Sequence, residues 1–303
     1  MSDRQLWKEV NGVDGGILEV LIDAGASGRP LVFHHGTPGT AIWYGRLADA
    51  ARDVGLQLVA YTRPGYAGST ARRHRSVADA AVDVAAIVDA LGAADFVSLG
   101  WSGGGPHSLA CAALLPGRCI AAAIIAGVAP YRAHGLDWMA GMGKENVEEF
   151  SAALQGEDVL RPALERYARE LVTVQAADVA AALGGLVSEV DERALTGEFA
   201  EMLALSFRRA VSRGIDGWLD DDLAFTRDWG FALDEIRAPV AIWQGEQDRM
   251  VPFSHGQWLA SHVRGAQAHL FPDEGHLSLA VGAIDRILAD LAALGQEVTP
   301  ARA

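Results

Sequence analysis

Short apolar runs that end in glycine or proline turns alternate along this chain with stretches whose apolar residues recur at helical spacing. Leu31-Val32-Phe33-His34 is one such run, closed by Gly36, and Leu56 to Tyr61 is another, closed by Arg63-Pro64-Gly65. Phe96 to Leu99, Cys119 to Ile125, Val240 to Trp243 and Ala268 to Phe271 complete the set. Runs this short and this apolar, bounded by turn residues, read as strands, the first two and Cys119 to Ile125 as buried ones. Between them, Val77, Ala80, Ala81, Val84, Ile87, Val88 and Leu91 fall on one helical face, and Gly92 stands where a helix ends. A second helix should start near Pro106 and another run from about Leu277 to Leu294. Strand, turn and helix in this order predict an α/β protein with a mostly parallel central sheet flanked by helices.

The pattern changes between Pro130 and Ile236, where helical segments such as Ala163 to Val172 and Phe199 to Val211 occur without a central strand. An insertion of about one hundred residues is too long for a loop and should form a helical subdomain. Ligands of parallel sheets sit beyond the carboxyl ends of the strands, so an insertion leaving from such an end should lie over the site as a cap or lid. The expected organisation is therefore a core domain of residues 1–129 and 237–303 with a helical cap of residues 130–236. A short polar tail follows Gly295.

Composition narrows the class. Half of the 303 residues are apolar, enough for a large core. The formal net charge of -14 disfavours nucleic acid and anionic membrane surfaces as partners. No run approaches the roughly 20 apolar residues of a spanning helix. The opening MSDRQLWKEVNG lacks a positive start followed by an apolar run, which makes the cytoplasm the expected location. Cys111 and Cys119, eight residues apart near the end of one predicted helix, supply neither a disulfide scaffold nor a zinc tetrad and are expected to be small buried residues.

The chemistry starts at Gly100-Trp101-Ser102-Gly103-Gly104, a G-x-S-x-G pattern placed directly after an apolar strand and directly before a helix. A serine on so sharp a turn occupies a strained backbone conformation, and the chain passes so closely that Gly100 and Gly104 can carry no side chain. The free N–H groups at the start of the following helix, that of Gly103 included, suit a developing oxyanion. No lysine follows the glycines as a phosphate loop would require.

A serine hydroxyl needs a base. Of the nine histidines, His276 is best placed, in a loop after the last strand and before the last helix, with Gly275 allowing a tight approach. His34, His35 and His107 lie near the glycine loops, and His255, His262 and His269 in surface-like settings, and these are expected to be structural. The orienting carboxylate should follow an earlier strand, and Asp248 does, with Glu246 as its local competitor and Asp220 to Asp222 as more distant ones. The order Ser102, Asp248, His276 is the one expected when a single parallel sheet supplies all three.

Together these segments resemble the α/β-hydrolase superfamily over roughly residues 28 to 290, the insertion excepted. His35-Gly36-Thr37-Pro38-Gly39 is similar to its oxyanion loop, Gly100 to Gly104 to its nucleophile elbow, Gly245-x-x-Asp248 to its acid turn and Gly275-His276 to its histidine loop. The resemblance implies an α/β-hydrolase fold with a helical cap, the N–H of Thr37 joining that of Gly103 in an oxyanion hole, and acyl transfer through Ser102 with no metal or organic cofactor. Arg63-Pro64-Gly65-Tyr66-Ala67-Gly68-Ser69 resembles the family's D-x-P-G-x-G-x-S turn, with Thr62 where aspartate is common, a departure that bears on loop stability. Serine at position 102 sets the chain apart from the dehalogenases and epoxide hydrolases of the superfamily, which use aspartate there.

The expected substrate is a small-molecule ester. Trp101, Trp138, Met142 and Trp218 are candidate substrate-binding residues, and Met139, Phe199, Met202 and Phe207 further candidates for an apolar pocket. The HGTPG loop also resembles that of proline iminopeptidases, which read a free amino terminus with cap carboxylates. Glu148, Glu149, Glu198 and Glu201 are candidates for that role, with a solvated helix face as the first expectation for them. A carboxylesterase is thus the first reading, an aminopeptidase the second, and a lyase or ligand-binding protein of the same fold the alternative of another class.

Overall fold

The computed structural model describes residues 4–297. Eight strands form one sheet: β1 (Gln5–Asn11), β2 (Ile17–Asp23), β3 (Arg29–His34), β4 (Leu56–Tyr61), β5 (Phe96–Trp101), β6 (Cys119–Ile125), β7 (Val240–Gly245) and β8 (Gln267–Phe271). Their spatial order is β1-β2-β4-β3-β5-β6-β7-β8, with β1 and β2 antiparallel to their neighbours and the rest parallel. This is the α/β-hydrolase fold, as expected from the sequence.

Helices cover both faces. The α1 (Gly45–Asp53), α2 (Asp79–Ala90) and α3 (Gly104–Leu114) helices connect the early strands, and six more separate β6 from β7: α4 (Lys144–Gln155), α5 (Glu157–Leu171), α6 (Val179–Leu183), α7 (Glu189–Ala194), α8 (Gly197–Ala210) and α9 (Asp216–Phe225). Then come α10 (Phe253–His262), α11 (His276–Gly282) and α12 (Ile284–Glu297). The central strand β6 has the sequence CIAAAII and every residue of it is buried, because its side chains alternate between two cores. Ala121, Ala123 and Ile125 share one core with α12, whereas Ala122 and Ile124 share the other with Leu109 of α3. Alanine at three successive positions lets helices approach the sheet closely on both sides.

The structure adds two edge features to these expectations and corrects two of them. The alternation does not single out β1 and β2; β1 carries polar residues on its exposed positions, as the sheet's antiparallel edge allows. Ala268 to Phe271 is a strand as expected, and β8 forms the other edge of the sheet with none of its residues fully buried. The helix expected from Leu277 to Leu294 is two helices, interrupted at Ala283, whose φ of -103° and ψ of 2° end α11 before α12 begins. Cys111 and Cys119 do not share a helix: the first is on α3 and the second opens β6, both buried and free. The polar tail expected after Gly295 lies, from residue 298 on, outside the described residues. Among the described residues no helix is long and apolar enough to cross a membrane.

Candidate active site

Ser102 occupies the left-handed region, with φ +56°, between the end of β5 and the start of α3. A non-glycine residue there is strained, and its surroundings must hold it. Its N–H donates to the carbonyl of Ile125 at 2.8 Å, and its own carbonyl accepts from Gly105 at 2.9 Å. A Cβ at Gly100 would lie 2.3 Å from the Gly104 carbonyl oxygen, and one at Gly104 only 2.0 Å from that of His34. The G-x-S-x-G spacing is thus a packing requirement of the strand-to-helix turn.

The loop after β3 meets this turn directly: a Cβ on Gly103 would sit 2.3 Å from Thr37 Oγ1. Among the described residues the N–H groups of Thr37 and Gly103 make no hydrogen bond, which leaves two neighbouring donors free. Thr62, in place of the family's aspartate, holds the next turn by donating to Glu19 at 3.2 Å and accepting from the Ala41 N–H at 3.2 Å.

Asp248 and His276 meet across the carboxyl ends of β7 and β8. His276 Nδ1 donates to Asp248 Oδ2 at 2.8 Å, Gln244 Nε2 donates to the same oxygen at 3.0 Å, and Oδ1 accepts the N–H groups of Met250 and Val251 at 2.8 Å each. Both side chains are buried. Burial disfavours the charged imidazole most strongly, but Asp248 and, behind it, Asp191 outweigh burial and raise the pKa of His276. Glu246, the local competitor, is exposed.

Ser102, Gly103, Thr37 and His276 all line a cavity of about 510 Å³ whose other wall comes from the helices between β6 and β7. Trp101 and Trp218 line it, and so do Phe199, Met202 and Phe207. Trp138 and Met142 do not: both are buried in a core cluster behind the lining residue Phe150. The Trp138 indole donates to the Ala129 carbonyl at 2.6 Å and packs edge-on to Phe150, with ring centroids 4.7 Å apart. Met139 joins the same core. His255 is likewise buried rather than surface-like, its Nδ1 accepting from Ala129 at 3.0 Å and its Nε2 donating to Trp138 at 2.7 Å. Apolar spacing signals burial without saying against what, so it cannot separate pocket from core.

Two carboxylates of α9, weighed from the sequence only as distant competitors of Asp248, take separate places. Asp221 of α9 accepts from Thr37 Oγ1 at 2.8 Å, from Arg63 at 2.7 Å, from Tyr66 at 2.8 Å and from Arg75 at 2.6 Å. Burial would raise its pKa, but Arg63 and Arg75 hold it well below the usual carboxylate range. Neighbouring Asp222 faces the cavity instead, beside Glu149 of α4. Glu149 was expected on a solvated face yet is buried, and accepts from the Trp218 indole at 2.8 Å. Neither Asp222 oxygen meets a donor among the described residues, and its carboxyl lies against that of Glu149. Burial, reinforced in Asp222 by Glu149, pushes both carboxyls up. Of the other candidates, Glu148 is exposed and paired with Arg166, Glu198 accepts from the Gly45 N–H at 2.8 Å, and Glu201 is exposed.

A sheet in this order, with a serine elbow after β5 and a histidine–aspartate pair beyond its last two parallel strands, defines a hydrolase of the α/β class. The chain belongs to the family described as alpha/beta hydrolase fold, whose signature matches residues 29–283. It is 27% identical over 283 residues to a non-heme haloperoxidase of Rhodococcus erythropolis, covering 90% of this chain and 94% of that protein. An alpha/beta hydrolase fold protein from Nakamurella multipartita superposes with a TM-score of 0.65 at 27% identity, over 96% of this chain and all of that one (100%). An esterase from Exiguobacterium antarcticum gives the same TM-score of 0.65 at 16% identity, covering 96% of this chain and 100% of its own, a likeness of fold.

Proposed function

We propose that this protein is a cytoplasmic serine esterase that cleaves small carboxylic esters through an acyl-enzyme on Ser102. The observation that carries the reading is that His276, bonded to Asp248 at 2.8 Å, lines the same cavity as a serine held at φ +56°. Ser102 Oγ attacks the ester carbonyl while His276 takes its proton, and Asp248 stabilises the imidazolium. The N–H groups of Thr37 and Gly103 hold the oxyanion, and His276 returns the proton to the departing alcohol. Water, deprotonated by the same imidazole, then releases the acid. The chemistry draws on side chains and backbone alone, and residues 130–236 act as the cap that roofs the cavity over a core of 1–129 and 237–303.

The test is hydrolysis of p-nitrophenyl esters from acetate to decanoate, together with fluorophosphonate labelling, in wild type and Ser102→Ala. Chain-length-dependent turnover and labelling, both lost in the variant, are expected. No labelling and no turnover in wild type would sink the reading in favour of a lyase or ligand-binding protein.

One observation favours a second reading, an aminopeptidase. The carboxyl groups of Glu149 and Asp222 lie side by side in a largely apolar cavity wall, and a pair of acidic groups there complements a substrate ammonium. Preferred cleavage of proline p-nitroanilide over the esters, abolished by Asp222→Asn, would promote it.

A further inference from the structure

Asp191 lies on α7, 85 residues before His276 in sequence, and is fully buried beneath the first turn of α11. Its carboxylate accepts the N–H groups of His276 at 3.1 Å, Leu277 at 2.8 Å and Ser278 at 2.9 Å, and the Ser188 hydroxyl at 2.9 Å. Four donors fill the four lone-pair positions of the two oxygens. Among the described residues no basic side chain lies within ion-pair distance of it, so the charge is held by backbone amides and one hydroxyl. A Cβ on Gly275 would stand 2.5 Å from both carboxylate oxygens. The glycine before the histidine is therefore the space that Asp191 occupies.

We propose that Asp191 is a positioning residue for the general base: it fixes the backbone that carries His276 and adds a second negative charge behind the imidazole. Asp248 fixes the ring through Nδ1, and Asp191 fixes the main chain from which that ring projects. When the ring becomes cationic on taking the Ser102 proton, both carboxylates stabilise it. The other charged groups around α11 are differently engaged. Asp285 of α12 pairs with Arg46, Arg286 lies over Trp243 and Phe271, Glu274 is half-buried on the same loop, and Glu149 and Asp222 lie across the cavity. An inserted helix thus belongs to the catalytic framework as well as to the roof. The inference rests on the esterase reading for its kinetic consequence, though not for its effect on the imidazole.

The experiment compares wild type with Asp191→Asn, a near-isosteric change that removes the charge. It reads the NMR titration of the His276 ring and the pH profile of ester hydrolysis, with a thermal melt as control. The His276 midpoint and the acid limb of kcat/KM should both move to lower pH, and kcat should fall tenfold or more with KM nearly unchanged. A folded variant with the wild-type midpoint and kcat would overturn the proposal. Should Asp191→Asn fail to fold, Gly275→Ala, which displaces the carboxylate without removing it, must lower kcat, and wild-type kcat there would equally overturn it. If wild type hydrolyses no ester, the ring titration still decides for or against Asp191, so that outcome counts against the esterase reading alone.

Discussion

Thr37, on the loop after β3, donates its hydroxyl to Asp221 of α9 at 2.8 Å, and Arg63 binds both partners, reaching Thr37 Oγ1 at 2.9 Å and Asp221 at 2.7 Å. Arg63 also donates to the carbonyls of His35 at 2.5 Å and Gly36 at 2.9 Å. The loop proposed to bind the oxyanion is thereby tied to the inserted helices through one buried carboxylate.

Asp221→Asn removes the charge that faces two buried guanidiniums, and an uncompensated buried charge costs about 3–5 kcal/mol. In a chain of this length a fall in Tm on the order of 10 °C is expected in differential scanning calorimetry. A melt within a degree or two of wild type would show that Arg63 and Arg75 find other partners.

Gly104→Ala puts a methyl group 2.0 Å from the His34 carbonyl oxygen, a backbone atom that cannot move aside without breaking β3. The gain of about 1 kcal/mol that alanine usually brings to a helix is overwhelmed. The variant should be destabilised and should not react with fluorophosphonate, as read by denaturant unfolding and active-site labelling.

The raised pKa of His276 has a definite sign for activity. The base must be neutral to accept a proton, and Asp248 with Asp191 favours the charged form, so activity falls with decreasing pH at a midpoint above the ordinary value near 6.5. Asp248→Asn should move that limb downward and cut kcat by about 10⁴ through loss of the correct tautomer. A pH profile of kcat/KM in both proteins measures it.

Stability should show the opposite histidine effect. His34, His35, His107 and His255 are buried and neutral, burial holding His107 down to about 3 and His255 to about 4. Unfolding frees them to bind protons near pH 6.5, so the folded state loses stability as pH falls from there toward 4, by about 1 kcal/mol per histidine per unit. Urea unfolding at pH 7, 6 and 5 should show a steepening loss, and a flat response would mean that these rings are charged in the fold.

The sequence by itself determined the backbone of the site. Turn-bounded apolar runs marked six of the eight strands, and the glycines around Ser102 marked its turn, because periodicity and glycine spacing act over a few residues and are written where they act. The pairing of Asp248 with His276 was legible for the same reason, each lying just past a strand end in chain order. Only the tertiary structure decided that β8 is an edge, that Trp138 and His255 are core, and that Asp191 and Asp221 hold loops 85 and 184 residues away. A carboxylate's partners depend on which distant segments pack against it, and nothing local distinguishes Asp221, bound by two arginines, from Asp222 beside it, which faces the cavity.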